Sequence, residues 1–172
     1  MQPPEVKKTG KRAKTPEQAL AALMRLCARA EKSQDDARRL MRGWGLAERE
    51  GEQVLARLVR ARFSDDGRYA EAVVRDKLRL SGWGEYKIRT ALQRKRIDRE
   101  LIDAALAQAD RQDMAGRLRQ QLERKMRTTR HTTQYELKTK LIRYGLSLGY
   151  DYETVLDSAA ALVTDTETCD EF

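Results

Sequence analysis

The sequence predicts an all-α protein built from three tandem three-helix repeats. Three observations lead there. The chain of 172 residues is 40% hydrophobic and 36% charged, with only three prolines and ten glycines. That is too apolar for a disordered chain and too charged for an average globular one. Its apolar residues recur at helical rather than alternating spacing. The helical stripes themselves recur about every fifty residues, the mark of a helical repeat.

The elements follow in order. Residues 1–14 lack periodic hydrophobics and read as a flexible basic arm. Thr15-Pro16-Glu17-Gln18 is a helix start, with Thr15 as cap, Pro16 in the first turn and Gln18 closing a capping box. Leu20, Leu23, Met24 and Cys27 form its stripe, which makes Cys27 a structural thiol. Ser33 opens a helix with Ala37, Leu40 and Met41 inward and its end near Gly45. Val54, Leu55, Leu58 and Val59 mark the next inner face.

Asp65 or Asp66 caps a helix carrying Tyr69, Ala70, Val73 and Val74. Ile88, Ala91 and Leu92, then Leu101, Ile102, Ala105 and Leu106, complete a second trio. Leu118, Leu122 and Met126 lie on a long basic helix. Thr133-Gln134-Tyr135-Glu136 reads as a second capping box ahead of Leu137 and Leu141. Val155, Leu156, Ala159 and Val163 give the last helix.

Ser33, Gly84 and Thr133 stand in register, 51 and 49 residues apart. Four residues on are Ala37, Ile88 and Leu137; eight on are Met41, Leu92 and Leu141. Both positions face the core of their own unit. Thirteen on are Leu46, Ile97 and Leu146, expected to anchor the turn into the third helix. Twelve on, Gly45 and Gly145 suit a left-handed helix end, whereas Arg96 adopts that conformation at a cost or makes another turn. Gly43-Trp44-Gly45 and Gly82-Trp83-Gly84 are not repeat markers, because the first closes a helix and the second opens one. The expected organisation is a basic arm (1–15), repeats at 16–63, 64–110 and 111–163, and an acidic tail (164–172).

No apolar run approaches the roughly 20 residues of a membrane span, and no apolar core follows the basic N-terminus as in a secretory signal. Cys27 and Cys169 have no metal-like spacing and suggest no disulfide framework, so a cytoplasmic location is expected. There is no phosphate-binding glycine loop. His131 is the one histidine and lies in a polar segment, so neither a histidine metal cluster nor a catalytic relay is expected. Helix capping accounts for Asp65-Asp66 without an ion. No enzyme activity, catalytic residue, cofactor or metal is expected.

The net charge is +8. The arm's Lys7, Lys8, Lys11, Arg12 and Lys14 are balanced by Glu5 and the tail's Asp165, Glu167, Asp170 and Glu171, so the body carries the excess. Charge alone fits phosphate contact and a solvated helical surface equally. Arg94-Lys95-Arg96, then Arg117, Arg124 and Thr128, then Arg119, Arg127 and Arg130, then Lys138, Lys140 and Arg143 continue the basic character through successive units. A continuous basic flank would favour phosphates or an acidic protein groove. Aromatic platforms for stacking bases are thin.

Phe63-Ser64-Asp65-Asp66-Gly67-Arg68-Tyr69-Ala70-Glu71-Ala72, then Gly82-Trp83-Gly84 and Ile88-Arg89-Thr90-Ala91-Leu92, resemble the RecX family pattern: an acidic pair, an Arg-aromatic-Ala step, a glycine turn and an Ile-Arg-x-x-Leu helix. Ser33 to Leu46 resembles that family's first unit. The likeness covers roughly residues 16–163. It departs at Ala37, where leucine is usual, and at Arg96, where glycine is usual. The resemblance implies an elongated, curved array that regulates the RecA recombinase in DNA repair, homologous recombination and the SOS response. It implies binding in the groove of the RecA–DNA filament, hindering growth, ATP hydrolysis and strand exchange. The expected partners are the RecA filament and, weakly and without sequence preference, DNA; no membrane is involved and the chain is expected to be a monomer. Candidate partner-binding residues are Arg68, Arg75 and Lys77 on the outside of the middle unit's first helix, then Lys87 and Arg94, extended by Arg124, Lys125, Lys138 and Lys140. The alternatives are a stand-alone DNA-binding protein of helix-turn-helix type, which short helices joined by glycine turns support, and a helical adaptor that binds only protein.

Overall fold

The computed structural model describes residues 13–163. The arm residues 1–12 and the acidic stretch 164–172, with Cys169, lie outside the described residues. Nine α-helices and one π-helical turn account for the regular structure among the described residues, which contain no strand. The chain divides into two compact units between Tyr69 and Ala70.

In the first unit, α1 (Pro16–Arg29) starts on a capping box formed by Thr15 and Gln18. Lys14, expected in the arm, is held: its N–H donates to the Trp44 carbonyl at 3.0 Å and its ammonium stands 5.4 Å from the Trp44 ring centre. Helix α2 (Gln34–Gly43) is capped by Ser33, and α3 (Glu48–Arg60) packs against both α1 and α2. Their core is Ala19, Leu23, Ala37, Met41, Leu46, Val54, Leu55 and Leu58, with Leu20, Met24, Cys27, Leu40, Trp44 and Phe63 packed on its rim. Val59, expected inward, is 38% exposed, because α3 narrows its buried face to Val54, Leu55 and Leu58.

Helix α4 (Asp66–Asp76) runs into a π-helical turn, Lys77–Ser81, which ends at Gly82 with φ +62°. Helices α5 (Glu85–Arg94) and α6 (Arg99–Ala107) follow and pack together, and Gln108 donates to Glu71 of α4. Ala70, Val74, Leu78, Ile88, Leu92, Ile97, Ile102, Ala105 and Leu106 are buried here. Helices α7 (Arg111–Thr128), α8 (Gln134–Ser147) and α9 (Tyr152–Leu162) pack mutually around Leu118, Leu122, Leu137, Leu141, Leu148, Tyr150, Val155, Ala159 and Val163.

The repeat is visible in backbone geometry. Ser33, Gly84 and Thr133 are the caps of α2, α5 and α8. The positions four and eight residues on are buried in all three. Each middle helix ends on a left-handed residue: Gly45 at +82°, Arg96 at +55° and Gly149 at +91°. Each donates to a carbonyl three residues back: Arg42 at 3.0 Å, Gln93 at 2.9 Å and Leu146 at 3.0 Å. A buried residue follows (Leu46, Ile97, Tyr150), then the cap of the third helix (Ala47, Asp98, Asp151). Arg96 therefore adopts the same turn as the glycines.

This corrects the third repeat. Gly145 and Leu146 were expected at its turn, yet Leu146 is 40% exposed and Gly145 lies inside α8, where a Cβ would stand 2.7 Å from Val155. Helix α8 has 14 residues where α2 and α5 have 10, so the turn falls one helical turn later. The expected second capping box is half formed: Thr133 accepts from the Glu136 N–H, but the Glu136 carboxylate turns to Thr132 and Lys140 instead of the Thr133 N–H.

A recurrent ion pair joins middle and third helices in two repeats. Arg38 grips Glu52 with two bonds of 2.7 and 3.2 Å, and Arg89 binds Asp103 at the matching positions while also reaching Glu85. In the third repeat the places equivalent by register, counted back from Gly149, are Ile142 and Leu156.

Candidate functional site

The second and third repeats are joined through main chain. Gly84 has no side chain with which to cap α5. Its N–H donates instead to the Leu148 carbonyl at 2.7 Å, and the Tyr86 N–H donates to the Gly149 carbonyl at 3.0 Å. The end of α8 thus satisfies donors that a helix N-terminus leaves free. Lys87 adds a bond from its ammonium to the Ser147 carbonyl at 3.2 Å. The approach is close enough that a Cβ on Gly84 would stand 2.4 Å from the Gly149 carbonyl, and one on Gly149 would stand 2.4 Å from the Lys87 Cβ.

Basic and aromatic side chains gather beside this joint. The ammonium groups of Lys77 and Lys87 stand 4.5 and 4.6 Å from the centre of the Trp83 ring, within cation–π range. Arg117, paired with Asp113 at 3.0 Å, also donates to the Arg79 carbonyl at 3.3 Å. Lys77 lies in the π-helical turn rather than on the regular helix before it.

The other expected contact residues are spread out. Arg68, in the first unit, binds Glu31 and the Arg62 carbonyl. Arg75 pairs with its neighbour Asp76, at 3.3 Å. Lys125 stands 5.3 Å from the Tyr144 ring centre. Lys140 donates to Glu136 and, at 2.8 Å, to the Arg130 carbonyl. Arg94 and Arg124 are exposed and Lys138 is partly so; none of the three forms an ion pair within the described residues. The structure brings together Lys77 with Lys87, and Lys125 with Lys140, the latter two lining one surface depression. Sequence reading missed Trp83 as the hub of the first pair, and Arg130 and Arg143 in that depression, although the basic run through 130–143 was visible.

Groups with reactive potential have structural duties. Asp65 accepts from the Arg68 N–H at 2.9 Å and caps α4, while Asp66 accepts from the Gln34 N–H at 2.9 Å and so serves the start of α2. Burial, with a smaller push from Glu31, raises the Cys27 thiol above its usual range. The exposed His131 ring has its Nδ1 3.1 Å from the Thr129 carbonyl oxygen. Among the described residues no group of His, Cys, Asp and Glu side chains could hold a metal ion, and no helix is long and apolar enough to cross a membrane.

Residues 65–106 match the family model described as RecX, second three-helix domain, and residues 112–157 match the one described as RecX, third three-helix domain, together about half of the chain. The chain belongs to the RecX family. It is 32% identical over 97 residues to the regulatory protein RecX of Clostridium botulinum strain Eklund 17B, a stretch covering 55% of this chain and 45% of that one. With the regulatory protein RecX of Serratia proteamaculans it shares 33% over 104 residues, 60% of each chain. The chain thus spans about half the length of the curated RecX relatives it matches. The crystal structure of RecX from Lactobacillus salivarius superposes with a TM-score of 0.74 at 18% identity, covering 86% of this chain and 96% of that one. A second crystal structure of regulatory protein RecX gives 0.75 at 20%, covering 81% and 68%. At such identities these structures speak for the fold, a tandem array of RecX three-helix repeats.

Proposed function

We propose that this chain is a non-catalytic, cytoplasmic regulator of the RecA recombinase, acting as a monomer that binds the RecA–DNA filament and restrains its growth, ATP hydrolysis and strand exchange. The observation that carries the reading is the main-chain joint between the second and third repeats, the two stretches that match RecX domains. Two modules held in one register present a preorganised surface, which lowers the ordering cost of binding an extended partner. Of the contact residues, Arg94, Arg124 and Lys138 have charge free of ion pairs within the described residues, and Lys77, Lys87 and Lys125 lie against aromatic rings. These six are the first choice. Arg75 and Lys140 in the second unit, and Arg68 in the first, are already engaged by carboxylates.

DNA-stimulated ATP hydrolysis by the RecA of the same organism, titrated with this protein, tests the reading. Inhibition well below one chain per RecA subunit is expected, weakened in Arg94→Ala/Arg124→Ala/Lys138→Ala. Absence of inhibition by the folded parent chain would overturn it and bring independent DNA binding forward.

A further inference from the structure

The junction of α7 and α8 is strongly basic. Residues 124–143 hold seven lysines and arginines against a single acid, Glu136. That acid is already engaged by Lys140 and by the N–H and hydroxyl of Thr132. At this junction a surface depression of about 560 Å³ is lined by Lys125, Thr128, Thr129, Arg130, Lys140, Arg143 and Tyr144, with no carboxylate in its wall. The Arg130 and Arg143 side chains are exposed and form no ion pair among the described residues. Arg124 and Arg127 on α7 continue the charge past the depression.

We propose that this depression is a binding site for the phosphodiester backbone of nucleic acid, with Arg130 and Arg143 as its principal phosphate ligands. The inference rests on the reading of the chain as a regulator of a protein–DNA filament, and it locates the DNA contact. Guanidinium groups bind phosphate oxygens in a two-pronged fashion, whereas the Thr128 and Thr129 hydroxyls in the wall already donate to the Lys125 carbonyl, which leaves the two arginines as the ligands. The wall offers one aromatic ring, already facing Lys125, and no apolar pocket that would anchor an acidic peptide. Continuation of the charge along α7 fits a polymer rather than a lone anion. Nothing in the wall is arranged to read base edges, so contact is independent of sequence.

The test is the salt dependence of binding of a labelled oligothymidylate to the full chain without RecA. Each phosphate contact adds about 0.7 to the log–log slope for a single strand, so Arg130→Gln/Arg143→Gln is expected to flatten it by about 1.4. Arg130→Lys/Arg143→Lys, which keeps the charge, should retain most of the slope. Arg25→Gln/Arg60→Gln removes equal charge from the first unit and should leave the slope unchanged. Equal flattening by that control pair, no flattening by the first pair, or preference for polyglutamate over the oligonucleotide would overturn the site. RecA ATP hydrolysis measured with the same proteins separates the two readings. Inhibition that survives without the slope change discards the site alone, whereas a slope change without inhibition by the parent chain supports the site and discards the regulatory reading.

Discussion

The N–H of Gly84 donates to the carbonyl of Leu148 across 64 positions of sequence, and at 2.7 Å it is the shortest main-chain contact between the second and third repeats. The backbone of Gly84 is ordinary (φ −82°, ψ 169°), so glycine is required there by space rather than by dihedral angle.

Gly84→Ala would place a methyl 2.4 Å from the Gly149 carbonyl, against main chain that cannot swing aside. It is expected to lower stability by about 1–3 kcal/mol or more. Gly43→Ala meets nothing within 4 Å and lies in the last turn of α2. It should raise stability by up to about 1 kcal/mol. Urea unfolding of the two variants checks the contrast; similar shifts would show that the close approach at Gly84 does not constrain the fold.

Left-handed positions supply a second pair. Arg62, at φ +59°, ends α3 with an exposed side chain, and replacing it by glycine should stabilise by up to about 1 kcal/mol. Gly149→Ala combines a left-handed φ of +91° with a methyl 2.4 Å from Lys87, and is expected to be the more damaging of the two turn variants. Thermal unfolding in parallel would show it.

Glu136 gives a pH signature. Its carboxyl is lowered from 4.5 to about 2, first by Lys140, then by the N–H and hydroxyl of Thr132. A folded value below the unfolded one means that its contribution is complete above about pH 4.5 and is lost as pH falls towards 2. NMR titration should place its midpoint near 2 and move it upward in Lys140→Met. A midpoint near 4.5 in the parent protein would show that the bonds are not held in solution.

The contact between Lys87 and Trp83 is expected to contribute about 0.5–1 kcal/mol at this partly exposed site. A double-mutant cycle over Lys87→Met and Trp83→Leu isolates it from the bond that Lys87 also gives to Ser147. Zero coupling would reduce the pairing to proximity.

The repeat was legible because caps and inward positions leave local marks. Ser33, Gly84 and Thr133, with the residues four and eight positions on, occupy the expected places. The third turn was misplaced because Gly145-Leu146 and Gly149-Tyr150 are equally good local signals. What separates them is tertiary: Gly145 lies under Val155, and Gly149 meets Lys87. Glu136 was misread for the same reason, since Lys140 one turn on and Thr132 just before the cap compete for its carboxylate. For the site, sequence shows that Arg68 and Arg94 are both cationic. Only coordinates show that the first is held by Glu31, 37 residues away, while the second has no such partner among the described residues.

A joint written in main chain is nearly blind to side-chain drift. Leu148 and Tyr86 contribute to it only peptide groups, which almost any residue would supply. The coupling of the two repeats can therefore outlast extensive divergence of the sequence around it. Its weak points are few: bulk added at positions 84 or 149, or a proline that deletes the donor at 84 or 86. Two proteins of this kind could differ at most positions along the seam and still hold their repeats at the same angle, whereas one methyl at Gly84 would set them apart.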